Sequence, residues 1–196
     1  MGRRFDSLHP IVVEAARGKL PGWVHMSPQR LEHSERVARL MRKWAKARGL
    51  RRSDRARWSA AGYLHDALKG VAPGRLRKTY DLGDEWPDPI LHGWACARRL
   101  EMEGVDDRAL ILAVAHHTTG HPDLDLLGCS LYMADYLDPG RRAGRSRRRS
   151  LRQALPVEHH AVLAVVAAAK IDTLLKRRLH IQQVTIEFWN EVAVGR

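Results

Sequence analysis

The stretch "AAGYLHDALKG", residues 60–70, places three ionisable side chains among small and apolar neighbours. His65 and Asp66 are adjacent, and Lys69 follows about one helical turn later. The apolar surroundings are typical of a helix that packs inside a protein. Burying a carboxylate or an imidazole there is costly unless a partner neutralises it or forms a hydrogen bond with it. The stretch therefore predicts a helical core that contains a functional centre, with partners supplied by other segments.

Length and composition favour one domain. The chain has 196 residues, of which 44% are hydrophobic, so it can form a sizeable core. The longest apolar run, "AVLAVVAAA" (161–169), is too short to cross a membrane, and the initial "MGRRFDSLHP" lacks the apolar stretch of a signal peptide. Cys96 and Cys129 each stand alone in a helical pattern, which predicts reduced thiols. We therefore expect a cytoplasmic protein with no membrane partner.

The charge balance indicates an anionic partner. The chain has 34 basic and 22 acidic residues, which gives a net charge of +12. Such a surplus suits nucleic acid, a nucleotide or an anionic surface. A general preference for arginine explains the same surplus, so the charge alone does not select among these partners.

Helix-start and helix-stop residues divide the chain into helices, and no run of alternating β-branched residues predicts a strand. Ser27 and Asp106 are predicted N-caps, whereas Gly49 and Gly120 mark helix ends. The basic stretch "GRRAGRSRRRS", residues 140–150, is predicted as a loop. The predicted helices cover residues 9–17, 28–49, 53–72, 74–82, 88–104, 107–120, 126–137, 157–178 and a last short segment from 185. The sequence thus predicts an all-α fold.

Five predicted helices each bring an imidazole or a carboxylate to an apolar face. His33, for example, shares its face with Val37, Leu40 and Trp44. The full set is His33, His65 with Asp66, His92, His117 and Asp135. A hydrogen-bonded core residue explains any one of them, but metal binding explains all of them together. The mixed nitrogen and oxygen ligands favour iron, manganese, cobalt or zinc over calcium.

The order of His33, the His65–Asp66 pair and Asp135 resembles that of the HD-domain metal-dependent phosphohydrolases. The chain is most similar to the symmetrical diadenosine tetraphosphate hydrolases of bacteria. The matching motifs are "HSERV" (33–37), "AGYLHDALK" (61–69), "HGWACA" (92–97), "HTTG" (117–120), "ADYLDPGR" (134–141) and "TIEFWN" (185–190). The resemblance implies one HD-domain helical bundle over residues 28–192, with a metal centre in its core and residues 1–27 as an N-terminal extension.

The resemblance also implies a centre with two divalent ions, iron most often, with manganese, cobalt or zinc as alternatives. Ligands carried over by motif are His33, His65, Asp66 and Asp135 for one ion, and His92 and His117 for the other, with Asp66 bridging. In this family a hydroxide that bridges the ions attacks an inner phosphorus of the substrate and yields two ADP. Asp66 and Lys69 would then be the catalytic residues.

Candidate substrate-binding residues surround these ligands in sequence. Lys69 and Arg36 lie one turn from proposed ligands, and Arg141 is a better phosphate ligand than Asp138 in the turn that follows Asp135. The complete set is Arg36, Lys69, Thr118, Thr119, Gly120 and Arg141. A solvated charge or a helix cap is the alternative role for each. Trp94 departs from the family, which has a small residue or proline after "HG".

Two other functions stay open at the level of sequence. One is an HD hydrolase of another nucleotide or phosphate ester. The other is a nucleic-acid-binding protein that docks its arginine-rich segment, residues 141–149, on phosphates. The same arginines suit an electrostatic funnel for a polyphosphate substrate. A dinucleoside polyphosphate is therefore the expected partner, while nucleic acid and a homodimer remain further alternatives.

Overall fold

Ten α-helices and one short 3-10 helix form the regular structure of residues 8–195, which are the residues that the computed structural model describes. No strand occurs in this range, which confirms the all-α prediction. The helices are α1 (Pro10–Ala15), α2 (Pro28–Ala47), α3 (Arg52–Leu64), α4 (Pro73–Tyr80), α5 (Leu91–Met102), α6 (Arg108–His116), α7 (Leu126–Tyr136), α8 (Arg145–Ala154), α9 (His159–Lys176) and α10 (Gln183–Ala193). The 3-10 helix Asp88–Ile90 precedes α5. None of these helices is long and apolar enough to span a membrane.

Several of the predicted helix starts shift by a few residues, including those of α3 and α6. Ser27 does cap α2, since its hydroxyl accepts a hydrogen bond from the backbone of Arg30. The cap of α6, however, is Asp107 and not Asp106, because the Asp107 carboxylate accepts the Leu110 backbone N–H at 3.2 Å. The start of α3 is Arg52, one residue before Ser53. Neither shift moves a candidate ligand away from its predicted neighbours.

The histidine–aspartate pair lies at the end of a helix and not within a helix that reaches residue 72. Helix α3 ends at Leu64, and residues 65–70 form consecutive turns. The backbone N–H groups of Ala67 and Lys69 donate to carbonyl groups three residues earlier, at 3.0 Å each. These tighter turns replace the helical pattern. The consequence is that Asp66 and Lys69 project from a turn toward the centre of the bundle.

The predicted basic loop is largely a helix. From Arg145 onward it forms α8, which has no buried residue of its own. Arg148 lies 4.5 Å over the ring of Tyr136 and donates to the Tyr136 carbonyl at 2.9 Å. Arg152 donates to the carbonyl of Leu137 at 2.7 Å. These contacts fix α8 on the end of α7, which the charge pattern alone did not indicate.

One glycine sets the approach of α2 to α3. A Cβ atom added at Gly62 would lie 2.6 Å from the backbone nitrogen of Ala38, which is closer than real Cβ atoms come to a neighbour. The two helices therefore touch through backbone atoms at this point. Because His33 lies on α2 and His65 follows Gly62 by one turn, this contact controls how closely the two imidazoles meet. The N-terminal helix α1 joins the same core through Val12 and Ala15.

We predict that Gly62→Ala destabilises the fold by about 1–3 kcal/mol, because the added methyl group forces α2 and α3 apart. Urea unfolding monitored by circular dichroism measures this change. Gly74→Ala is the matched control, since a Cβ atom at Gly74 meets nothing within 4 Å. The control should be neutral or slightly stabilising. Equal unfolding midpoints for the two variants would contradict the close contact.

Candidate metal centre

Four elements bring four histidines and one aspartate to a common point in the bundle. His33 lies on α2, His65 and Asp66 follow α3, His92 is in the first turn of α5, and His117 ends α6. Within residues 8–195, two groups could hold an ion: His33 with His65 and Asp66, and Asp66 with His92 and His117. In each group the donor atoms lie within 4.8 Å of one another. Asp66 belongs to both groups, as expected of a bridging ligand.

The imidazole rings are oriented by hydrogen bonds on their outer nitrogens. Nδ1 of His65 donates to the carbonyl of Gly62 at 2.9 Å, and Nδ1 of His117 donates to the carbonyl of Val114 at 2.8 Å. The proton is assigned to Nδ1 from these carbonyl partners, since carbonyls only accept. The Nε2 lone pairs of both rings therefore point into the centre. Backbone carbonyls often orient metal-binding histidines in this way.

The second group concentrates electron-rich atoms. Nε2 of His92 lies 3.0 Å from Nε2 of His117, and Oδ1 of Asp66 lies 3.1 Å and 3.5 Å from these two nitrogens. Nε2 of His92 accepts from the Lys69 ammonium at 3.0 Å, so it also carries a lone pair. Three lone-pair donors that face one another at these distances suit a shared metal ion, and the Lys69 ammonium already reaches both His92 and Oδ1 of Asp66, the latter at 3.5 Å.

One oxygen of the Asp66 carboxylate lacks a well-aligned hydrogen-bond donor. The side chain is buried, and among the described residues Oδ1 has no hydrogen-bond partner, although the Lys69 ammonium lies 3.5 Å from it. Burial disfavours its charged form, but the surrounding imidazoles outweigh burial and hold the pKa of Asp66 below its usual value. Burial also lowers the pKa of His65 to about 3 and that of His92 to about 4, so both rings are neutral near pH 7. An ionised carboxylate among neutral imidazoles fits a divalent cation.

His33 connects the centre to two further carboxylates. Its Nε2 lies 3.2 Å from Asp135, and its Nδ1 lies 2.8 Å from Asp138. Burial lowers its pKa, but the two carboxylates outweigh burial and raise it to about 9. A metal ion and a proton therefore compete for Nε2. The carboxylate of the predicted ligand Asp135 reaches the first group through its contact with His33. It also accepts a hydrogen bond from the Arg141 guanidinium at 2.7 Å.

Asp138 is a functional residue whose role the sequence did not reveal. It is buried and accepts two hydrogen bonds from Arg36, at 2.7 and 3.0 Å, as well as the Gly140 backbone N–H at 2.9 Å. It thereby holds both His33 and Arg36 in position. The signal in the sequence was an acidic residue directly before a proline turn, which does not by itself identify its partners.

A cleft of about 890 Å³ opens above Asp66. Its predicted lining residues include Arg36, Lys69, Thr118 and Arg141. Thr119 and Gly120 lie elsewhere: the buried Thr119 hydroxyl is 3.2 Å from Nδ1 of His116, and Gly120 packs against Phe188. The cationic residues of the lining are Arg30, Arg36, Lys69, Arg141, Lys170 and Arg177.

Lys170 is the second functional candidate that sequence reasoning missed. Its ammonium donates to the His117 carbonyl at 3.1 Å and lies 3.8 Å from the centroid of the Tyr132 ring. Burial lowers the pKa of Lys170 to about 8. It stands in helix α9 directly after the apolar run 161–169, and a lysine at that place was the available signal. The arginines of α8, in contrast, do not line the cleft.

This constellation is characteristic of a known protein class. The model of the HD domain family matches residues 30–140, which include all the proposed ligands and Asp138. The chain therefore belongs to the HD domain family, whose members bind divalent metals at histidines and aspartates of this kind.

Two curated relatives and one solved structure are similar to this chain. The chain is 33% identical over 133 residues to a Staphylococcus aureus protein and 27% identical over 125 residues to a Halalkalibacterium halodurans protein, both named symmetrical bis(5'-nucleosyl)-tetraphosphatase. The matches cover 64% and 60% of this chain, and 64% and 65% of the relatives, so the chain spans less than two thirds of their length. A Clostridium acetobutylicum crystal structure, described as a predicted HD superfamily hydrolase involved in NAD metabolism, superimposes with a TM-score of 0.75 at 24% identity over 100% of both chains. It shows the fold.

We predict that Asp138→Asn weakens divalent metal binding by about 10-fold or more, because a neutral amide no longer supports the basicity and orientation of the His33 ring. Calorimetric titration with Mn²⁺ measures this affinity. Asp172→Asn is the control, since Asp172 is an exposed carboxylate on α9 that pairs with Lys176. If the two variants bind Mn²⁺ equally well, Asp138 does not support the centre.

Proposed function

We propose that the chain is a metal-dependent phosphohydrolase of the cytoplasm that cleaves diadenosine tetraphosphate symmetrically into two molecules of ADP. The observation that carries this proposal is the position of the two ligand groups, joined by Asp66, at the floor of a cleft lined with cations. The names of the two curated relatives support the choice of substrate. The buried, unpaired thiols of Cys96 and Cys129 are consistent with a reducing compartment.

The ligands divide between two divalent ions, iron most often, with manganese, cobalt and zinc as alternatives. His33, His65, Asp66 and Asp135 would hold one ion, and Asp66, His92 and His117 would hold the other. When bound, such ions make water more acidic and polarise phosphoryl oxygens. Nitrogen and carboxylate donors suit this group of metals.

The charge of the cleft fits a polyphosphate. A tetraphosphate bridge carries several negative charges near neutral pH, and cationic side chains outnumber the lining carboxylates Asp66, Asp135 and Asp138. An anionic chain of this kind therefore has several positive partners at once. A single phosphate ester would use few of them.

Two of these cations are already held in place. Asp138 fixes the guanidinium of Arg36, and Asp135 fixes that of Arg141. Since their orientation does not depend on the substrate, little ordering is needed when the phosphates bind. Lys69 and Lys170 add two ammonium groups near Asp66 and His117. The leaving group is a nucleoside diphosphate, so protonation by an enzyme acid contributes little.

The direct test combines metal analysis of the purified protein with chromatography of the products formed from diadenosine tetraphosphate. We expect divalent metal in the protein and ADP as the product. Asp66→Ala should abolish turnover and lower the bound metal, because it removes the shared ligand, while the circular dichroism of the helices is retained.

Other outcomes would redirect the proposal. A chromatogram dominated by ATP and AMP would exclude symmetrical cleavage. Faster turnover of a nucleoside monophosphate or another nucleotide in the same assay would assign the chain to a different branch of HD hydrolases. Full activity with full metal content in Asp66→Ala would refute the two-ion arrangement.

Lys69→Ala should separate substrate stabilisation from metal binding. We expect it to keep its metal and to lose about 10²-fold in turnover, the scale of removing one preorganised donor. Steady-state kinetics and metal analysis measure the two effects. Lys176→Ala, which removes an exposed lysine of α9, is the control and should retain normal turnover. If Lys69→Ala turns over the substrate as fast as this control, Lys69 does not contribute to the reaction.

A further inference from the structure

A second concave surface lies between α1, α2 and α3 and shares no lining residue with the catalytic cleft. Its volume is about 670 Å³. Four of its cations come from α2, namely Arg39, Arg42, Lys43 and Lys46. Arg52 and Arg55 of α3 and Arg17, which follows α1, complete the positive lining. We call this surface the basic groove.

The cations of α2 form a stripe on one face of the helix. Their spacing of three and four residues places them beside one another. Like charges at this spacing destabilise a helix slightly. Within residues 8–195, none of the four side chains makes a hydrogen bond or an ion pair, and no carboxylate lines the groove. The stripe therefore carries a small cost in helix stability, which an external anion would relieve.

The deeper part of the groove also offers an unused donor. Nε of Arg55 is buried and lacks a hydrogen-bond acceptor among the residues that the structure describes. A buried guanidinium donor without an acceptor is unfavourable. An anion in the groove would provide one if the Arg55 guanidinium turned toward it. This observation is independent of the exposed stripe and indicates the same kind of ligand.

The shape of the groove favours an extended anion. The stripe from Arg39 to Lys46 follows about 10 Å of the α2 axis, because each helical residue rises about 1.5 Å. Several phosphates in a row can meet such a stripe. None of the lining residues in the described part of the chain is aromatic, so these residues offer a base no stacking partner. The large exposed apolar side chains of the described chain lie outside it, and an anionic membrane surface would lack an anchor.

We propose that the basic groove binds the phosphodiester backbone of a nucleic-acid strand without selecting bases. The groove is separate from the metal centre, so a strand and a small substrate can be bound together. The proposal does not depend on the hydrolytic activity. Its recognition is electrostatic, and its affinity therefore falls steeply with salt.

The test uses the full chain and a fluorescein-labelled oligouridylate, with binding followed by fluorescence anisotropy over a range of NaCl concentrations. The groove variant combines Arg39→Gln, Arg42→Gln, Lys43→Gln and Lys46→Gln, since glutamine keeps the helix propensity. If each cation meets one phosphate of a single strand, the slope of log K against log salt should fall by about 3. The affinity at about 50 mM salt should fall by about 10²-fold or more.

The matched control removes the same number of positive charges elsewhere. It combines Arg142→Gln, Arg145→Gln, Arg147→Gln and Arg149→Gln, at and before α8. The side chains of these four arginines make no hydrogen bond or ion pair with the part of the chain that is described. The control variant should keep most of the slope of log K against log salt that the unmodified chain shows. Equal losses in both variants, or a larger loss in the control, would overturn the proposal, because binding would then follow net charge or α8.

Folding and ligand class are tested in the same series. Circular dichroism checks that both variants remain helical. If the groove variant unfolds, the double variant Arg42→Gln with Lys46→Gln replaces it, and it should reduce the slope of log K against log salt by about half as much. Oligothymidylate distinguishes DNA from RNA, and groove-dependent binding of either supports the proposal. Binding of phosphatidylserine vesicles through the groove, without binding of either oligonucleotide, would refute it in favour of an anionic membrane surface.

Discussion

The buried charge of Asp66 is the constraint on which the rest of the structure depends. An ionised carboxylate in a helical core is unstable unless positive charge reaches it. The turn after α3 presents this carboxylate, and α2, α5 and α6 approach it with imidazoles. Backbone carbonyls aim the lone pairs of His65 and His117, whereas a carboxylate, Asp138, holds the ring of His33. A hydrogen-bonded network without metal leaves Oδ1 unpaired. The packing of the helices is therefore best understood as a scaffold built to hold cations.

The sequence predicted the all-α class and the helices that carry or precede the candidate ligands, because apolar spacing and caps such as Ser27 are local signals. It missed the turn after α3 that presents Asp66. It failed where the cause lies in distant residues. Asp107 caps α6 while Arg57 binds the same carboxylate, and Asp106 offered the same local signal. The helix α8 depends on contacts with α7. Lys170 and Asp138 acquire their roles from partners more than fifty residues away in the chain.

The surplus of positive charge is divided between surfaces that differ in kind. In the cleft, Arg36 and Arg141 are paired with carboxylates and are thereby oriented. In the basic groove, the stripe on α2 has no such pairs with any residue between 8 and 195. Paired cations give directional recognition, whereas unpaired ones give attraction that salt screens easily. Composition reveals the total charge, but the fold decides which of these two forms it takes.

The attachment of α8 to α7 has a consequence for how this surface can evolve. Arg148 and Arg152 bind the carbonyls of Tyr136 and Leu137, the two residues between Asp135 and Asp138. The neighbouring arginines face solvent, so lysine can replace them at little cost. Lysine lacks the planar fork that stacks on Tyr136 while reaching a carbonyl. The arginine-rich segment thus contains two positions, Arg148 and Arg152, at which lysine would lose a contact, among others at which it would not.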